Sequence, residues 1–271
     1  MEFLQEIIQS VILGIIQGIT EFLPVSSSGH LEIAKIWLGF TEANTFYSIL
    51  LHAATLVAVF IAFRKRIGAI IVSLARFVTR KTEQDDKVNL KLFLLLCSAT
   101  AATACVFLGM KFLDESLFHN PKLIGSCFII TGGILIVSRF FNGTTQYPHF
   151  GFLRSLAVGL AQGIGILPGI SRSGITITGA LSMGMSRELA GEFSFLLSIP
   201  AILGAIVADL KDATALFEQV SIVSIILGMA AAFVVGLVSI LFLMKLIKRG
   251  QLFFFSLYLI PAGILTIIFI S

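Results

Sequence analysis

The chain has 271 residues, 57% hydrophobic and 13% charged, where soluble globular domains carry about 25% charged residues. Its formal net charge of +4 comes from basic residues that flank apolar stretches, which excludes a soluble-domain reading and argues against a nucleic-acid partner. Cys97, Cys105 and Cys127 all lie inside apolar stretches, so they read as small hydrophobes rather than a disulfide framework.

Glu2 and Glu6 stand where a signal peptide would carry basic residues, so Met1 is expected to remain in the mature chain. The first notable block is Gly14 to His30, G-I-I-Q-G-I-T-E-F-L-P-V-S-S-S-G-H. Spans are expected over Phe46–Phe63, Leu92–Met110 and Leu123–Ser138. A second polar block follows at Gly159 to Thr176, G-L-A-Q-G-I-G-I-L-P-G-I-S-R-S-G-I-T, with a helix start expected at Ile175. Three more spans are expected over Glu192–Leu210, Ile222–Met244 and Leu252–Ile270. Each approaches the length of about 20 apolar residues needed to cross a bilayer.

The two blocks are versions of one pattern. Gln17 aligns with Gln162, Gly18 with Gly163, Pro24 with Pro168, and Ser26-Ser27-Ser28-Gly29 with Ser171-Arg172-Ser173-Gly174. F-Y-S-I-L-L from Phe46 likewise resembles F-S-F-L-L-S from Phe193. Glycine, proline and serine interrupt both blocks, and unpaired backbone is not tolerated against lipid. The expected fold is therefore an all-α integral membrane protein: six transmembrane helices plus two re-entrant loops in an inverted-topology repeat, with one repeat over 1–140 and the other over 150–271.

Basic residues crowd three connections. These are Arg64 to Lys91, the loop flanked by Arg139 and Arg154, and the turn holding Lys245, Lys248 and Arg249. The positive-inside rule makes these cytoplasmic. Small-residue runs at Gly132-Gly133 and Gly228 to Ala232 suit helix packing within a protomer or in a homodimer.

An ionisable group at membrane depth is costly and marks a functional site. Gln17 and Glu21 are spaced to share a helix face. Arg172 offers a planar donor fork for phosphate oxygens, surrounded by Ser171, Ser173, Thr176 and the backbone N–H groups of Gly169 and Gly174. Ser26, Ser27 and Ser28 are candidate nucleophiles. His30 can move a proton near neutral pH, and Glu21 can orient His30 or hold a hard divalent cation such as Mg²⁺, with Gln17 beside it. These parts make a phosphoryl-transfer site; a purely structural Glu21–Arg172 pair is the plainer alternative. His52 has no acidic neighbour in sequence and reads as ordinary.

The blocks Q-G-I-T-E-F-L-P-V-S-S-S-G-H and L-P-G-I-S-R-S-G-I-T resemble the two signature motifs of the undecaprenyl pyrophosphate phosphatases, the bacitracin-resistance family. The first corresponds to (E/Q)-x-x-x-E and the second to P-G-x-S-R-S-x-x-T, and the resemblance covers essentially the whole chain. It implies a multi-pass hydrolase of the bacterial inner membrane that removes one phosphate from a polyprenyl pyrophosphate, recycling the carrier for cell-wall synthesis. Carried onto this chain, it implies catalytic roles for Glu21, Ser27, His30 and Arg172. Phosphate contacts are implied from Ser26, Ser171, Ser173, Gly174 and Thr176. A divalent cation, Mg²⁺ or Ca²⁺, would be held by Glu21 and Gln17. Ser27 with His30 as base is the favoured nucleophile arrangement, with His30 itself or a water as alternatives. The lipid tail is expected beside Phe22, Leu23 and Trp37. The competing function is a transporter or flippase of a phosphorylated isoprenoid lipid.

Overall fold

The computed structural model describes residues 2–38, 45–110, 112, 118–208 and 221–270. Among these residues the secondary structure is helical, apart from two isolated bridges pairing Gly143 with Ser186 and Thr145 with Met185. The helices are α1 (Glu2–Phe22), α2 (Ser27–Leu38), α3 (Thr45–Ala62), α4 (Arg64–Val78), α5 (Asp86–Met110) and α6 (Pro121–Ser138) in the first half. The second half holds α7 (Phe152–Ile164), α8 (Arg172–Ser182), α9 (Arg187–Ala208), α10 (Ile222–Lys248) and α11 (Ser256–Phe269).

Among the described residues, six helices are long and apolar enough to cross a membrane: Phe3–Phe22, Asp86–Met110, Pro121–Ser138, Arg187–Val207, Ile222–Lys248 and Leu252–Phe269. The protein is thus a multi-pass membrane protein. Five of these correspond to expected spans. The sixth is α1, which extends upstream of the first polar block and, at 21 residues, is about 31 Å long. The expected span Phe46–Phe63 appears as the shorter apolar helix Tyr47–Ala62. Many large apolar side chains point outward, including Ile71, Val238 and Leu257, as a hydrocarbon solvent requires.

Each polar block is a break between two helices that fold back on one another, α1 with α2 and α7 with α8. The first break spans 23–26. Pro24 disfavours helix at Leu23, and Ser26 takes a left-handed conformation at φ +71°. The second break runs from Gly165 to Ser171 and contains Gly169 at φ +93°. Helix α8 starts at Arg172, three residues before the expected Ile175, because the Ser171 side chain caps the Gly174 N–H at 3.1 Å.

The long arms cross between the halves. Helix α1 packs along α10, and α7 packs along α5. Glycines make both approaches close: a Cβ on Gly14 would fall on the Gly228 carbonyl, and one on Gly159 on the Ala99 carbonyl. Gly18 and Gly163, one turn on, face α10 and Val106 of α5 in the same way. These are small-xxx-small contacts, which drive helix association where lipid removes the hydrophobic term.

The basic segments gather at one end. Arg66 Nε pairs with Glu192 at 2.8 Å, and Tyr147 donates to the same carboxylate at 3.0 Å. Arg187 donates to Asn142 at 2.6 Å, and Lys248 pairs with Glu188 at 2.8 Å. Helix α4 carries Arg64, Lys65 and Arg66 in its first turn and exposed Ile71, Val72 and Phe77 further along.

Gly14→Leu and Gly159→Leu are each expected to lower stability by at least about 1–3 kcal/mol, because backbone rather than a flexible side chain must move. Gly133→Leu, with nothing within 4 Å of an added Cβ, is expected to be neutral. Thermal melting in detergent separates the two classes; equal melting of all three would show that these crossings are not the tight ones.

Candidate active site

The tips of the two helix breaks meet in the interior. Gly169 N–H donates to Ser26 Oγ at 3.0 Å. Gly29 lies against Gly169 N and the Phe128 ring, and Gly174 lies against Pro24. Thr131 of α6 braces the second tip by donating to the Gly169 carbonyl at 2.9 Å and accepting from the Ser171 N–H at 3.1 Å. The left-handed backbone at Ser26 and Gly169 points these groups across the junction rather than along their own helices.

Glu21 is the hub. Its side chain is 3% exposed. One oxygen, Oε1, accepts from Arg172 Nη2 across the junction. The other, Oε2, accepts from Ser27 Oγ at 2.6 Å and from Gln17 Nε2 at 3.0 Å, and lies 3.4 Å from His52 Nε2. Four helices therefore converge on one carboxylate. Two buried atoms beside it have no partner among the described residues: Arg172 Nη1 and Gln17 Oε1.

A pocket of about 270 Å³ opens over this cluster, lined by Glu21, Ser26, Ser27, Ser28, His52, Ser171 and Arg172 with apolar walls from α9. The spare guanidinium N–H groups suit a phosphate oxygen. A hydroxyl already donating to a carboxylate is a nucleophile with its proton acceptor in place.

Three of the residues expected to contact phosphate stand behind the pocket. Ser173 Oγ pairs with Ser171 Oγ at 3.2 Å. The Gly174 N–H is taken by its cap, and the Gly169 N–H by Ser26. Thr176 Oγ1 bonds the Arg172 carbonyl at 2.7 Å and the Ser194 hydroxyl. Their polarity is consumed in shaping the loop that presents Arg172.

His30 is also placed differently from expectation. Its Nδ1 lies 2.8 Å from the Ser26 carbonyl, and its Nε2 lies 2.6 Å from the Tyr258 hydroxyl. A carbonyl only accepts, so Nδ1 carries the proton and Tyr258 donates to Nε2. His30 stacks on Tyr258 and faces a separate apolar groove. The structure does not bring it to Ser27 or Glu21, so the expected Glu21–His30–Ser27 relay is absent from this arrangement.

His52, read from sequence as ordinary, instead faces Glu21. Its acidic neighbour comes from another helix, and the only linear signal was a lone ionisable group within an apolar helix. Phe22, expected beside the lipid tail, is 1% exposed and packed edge-on against Phe195. Leu23 packs against the core, and the Trp37 side chain lies outside the described residues.

The family model described as bacitracin resistance protein BacA matches residues 10–265. A Treponema denticola protein named undecaprenyl-diphosphatase is 47% identical over 258 residues, 95% of each chain. Proteins of the same name from Carboxydothermus hydrogenoformans and Korarchaeum cryptofilum are 42% identical over 260 residues and 38% identical over 262 residues. The first covers 94% of each chain, and the second 96% of this chain and 97% of its own.

Removing one charge of the Glu21–Arg172 pair strands the other. Glu21→Gln or Arg172→Met alone is expected to cost about 3–5 kcal/mol, while the double variant costs clearly less than their sum. Denaturation of all four proteins in mixed micelles measures this; strict additivity would show that the pair does not couple the two halves.

Proposed function

The chain belongs to the bacitracin resistance protein BacA family, and from that premise we propose how its membrane pocket hydrolyses undecaprenyl pyrophosphate to undecaprenyl phosphate and inorganic phosphate. The protein is an undecaprenyl-diphosphate phosphatase, with a lipid pyrophosphate as substrate. The relatives' shared name favours hydrolysis over the transporter reading. The observation that carries the mechanism is the Ser27 hydroxyl donating to Glu21 at 2.6 Å beside an Arg172 fork with an unpartnered N–H.

In this mechanism the terminal phosphate sits between Arg172 and Ser27. Ser27 Oγ bonds to the terminal phosphorus as that phosphorus parts from the bridging oxygen. The Ser27 proton passes to Glu21 Oε2, which gives it to the departing lipid phosphate. Glu21, again a carboxylate, then takes a proton from the water that attacks the phosphoserine. Inorganic phosphate leaves, and the proton returns to Ser27. Arg172 stabilises charge on the transferring oxygens, a role worth several orders of magnitude in rate. His30 holds the Ser26 carbonyl, and so the turn that aims Ser27.

The donor set is compatible with a hard cation: Glu21 supplies a carboxylate and Gln17 an orphaned buried Oε1. No group of three acidic, His or Cys side chains stands together among the described residues, so substrate phosphate oxygens would supply the remaining ligands. A cation bound there would neutralise pyrophosphate charge.

The re-entrant, inverted-repeat architecture is supported by the matched crossings of α1 on α10 and α7 on α5, each built on aligned glycines. The inner membrane is the compartment proposed for it, on the strength of the family and the basic end of the molecule.

Phosphate release from undecaprenyl pyrophosphate by purified protein tests the roles. Glu21→Ala, Ser27→Ala and Arg172→Ala are expected at background, and chelation is expected to suppress the wild type. His30→Asn keeps an N–H where Nδ1 stands and is expected to stay within about tenfold of wild type, well above nucleophile loss. Background activity in His30→Asn would make His30 the base.

A further inference from the structure

The pocket over Glu21 adjoins further cavities on its α9 side. A second cavity of about 260 Å³ begins there and shares Ile166, Arg172, Ala201 and Ala205 with it. Arg172 therefore forms part of both walls, facing the polar cluster on one side and an apolar space on the other. This second cavity shares Thr100, Ala104 and Pro200 with a third, of about 590 Å³, that runs between α5 and α9 toward α4. The three lie in series from the pocket over Glu21 to the outer surface, each sharing wall residues with the next, and Phe60 and Ile71 are exposed at the far end.

The series changes chemistry along its length. At the Glu21 end it is lined by hydroxyls and charges; the second cavity is mostly apolar, with Phe107 and Gly204 beside Thr100, Thr103 and Gln162, and the third is lined by residues such as Leu96 and Ile199. Local features keep it open. Nothing lies within 4 Å of a Cβ built on Gly204, and Ala104 on α5 and Ala201 on α9 are small. Pro200 sits inside α9 where both apolar cavities meet, a position that kinks a helix and removes a backbone donor from the lining.

We propose that the groove between α5 and α9 holds the isoprenoid tail of the substrate and sets chain-length preference. The proposal rests on the phosphatase reading and names the part of that site which recognises the lipid. A diphosphate clamped by Arg172 has its ester oxygen at the head of the groove, and the apolar lining then accepts successive isoprene units. The apolar groove beside His30, between α1, α2, α6 and α11, shares only Thr20 with the polar pocket; it is the competing path.

Thr100→Trp places an indole at the junction of the two apolar cavities, and Ala101→Trp narrows the third alone. Leu265→Trp, in the groove beside His30, is the control. Phosphate release is measured from undecaprenyl pyrophosphate and from geranyl pyrophosphate, whose two isoprene units are expected to need only the first part of the groove. With either α5 variant, kcat/KM for the long substrate is expected to fall at least about tenfold while that for the short one changes less than about twofold. Leu265→Trp should leave the ratio at its wild-type value. No change in the ratio with Thr100→Trp and Ala101→Trp, including equal losses on both substrates, overturns the proposal. A ratio change confined to Leu265→Trp overturns it in favour of the other groove. Retained geranyl pyrophosphate hydrolysis separates these outcomes from a failure of the phosphatase reading, which would abolish release from both substrates in the wild type.

Discussion

The buried contact between Glu21 and Arg172 holds the centre of this protein together. Two helix breaks, separated by about half the chain, each bring one charge to the same point. Either charge alone would be costly at membrane depth, so each half supplies the partner that makes the other tolerable. Even paired, the two charges have lost most of their water, and such a pair is often no more stabilising than well-packed apolar residues. A purely structural pair would saturate both groups with partners. Here one guanidinium nitrogen and the amide oxygen of Gln17 are buried and unmatched, and a pocket is lined by Glu21 and Arg172. That incompleteness separates a site awaiting a charged ligand from a mere clamp.

The geometry of the pair depends on backbone placed far from the charges. Gly169 and Ser26 adopt left-handed conformations, and the hydrogen bond between them joins the two tips. Thr131 holds the second tip from α6, and the glycine crossings of α1 on α10 and α7 on α5 hold the arms. Lipid supplies no hydrophobic drive between helices, so close backbone approach and buried hydrogen bonds must substitute for it. The glycines at 14, 18, 159 and 163 thus act on the chemistry indirectly, since a shift of an arm would separate Glu21 from Arg172.

Much of this was legible in the residues because the signals were periodic or duplicated. The apolar spans follow from length and hydropathy, and the repeated Gln-Gly, Pro and Ser-Gly pattern marked where the helices break. Glu21 and Arg172 stood out because ionisable groups are rare in such stretches. What escaped was what only the third dimension supplies. His52 gained its acidic neighbour from α1. His30, four residues after Ser26, turned its ring to that residue's carbonyl and to Tyr258 on the far side of the chain. Ser173, Gly174 and Thr176 belong to the motif, yet their polarity is spent inside the loop. A linear motif records that residues matter together, not which of them touch the ligand.

The same logic explains why the polar site can exist beside lipid. Polar groups at the junction are matched by neighbours: Ser26 by Gly169, Ser171 by Gly174 and Thr131, Thr176 by Ser194. Among the described residues, an unmatched guanidinium N–H of Arg172 stands in the wall of the pocket. A lipid pyrophosphate is complementary to that division, since its charged head satisfies the open groups while its tail needs only apolar walls. Water entering with the head would weaken the field of Arg172, so filling the adjoining groove with hydrocarbon also strengthens the electrostatics at the reacting phosphorus. In the proposed arrangement, recognition of the tail and stabilisation of the transferring phosphoryl group share one wall, the side chain of Arg172.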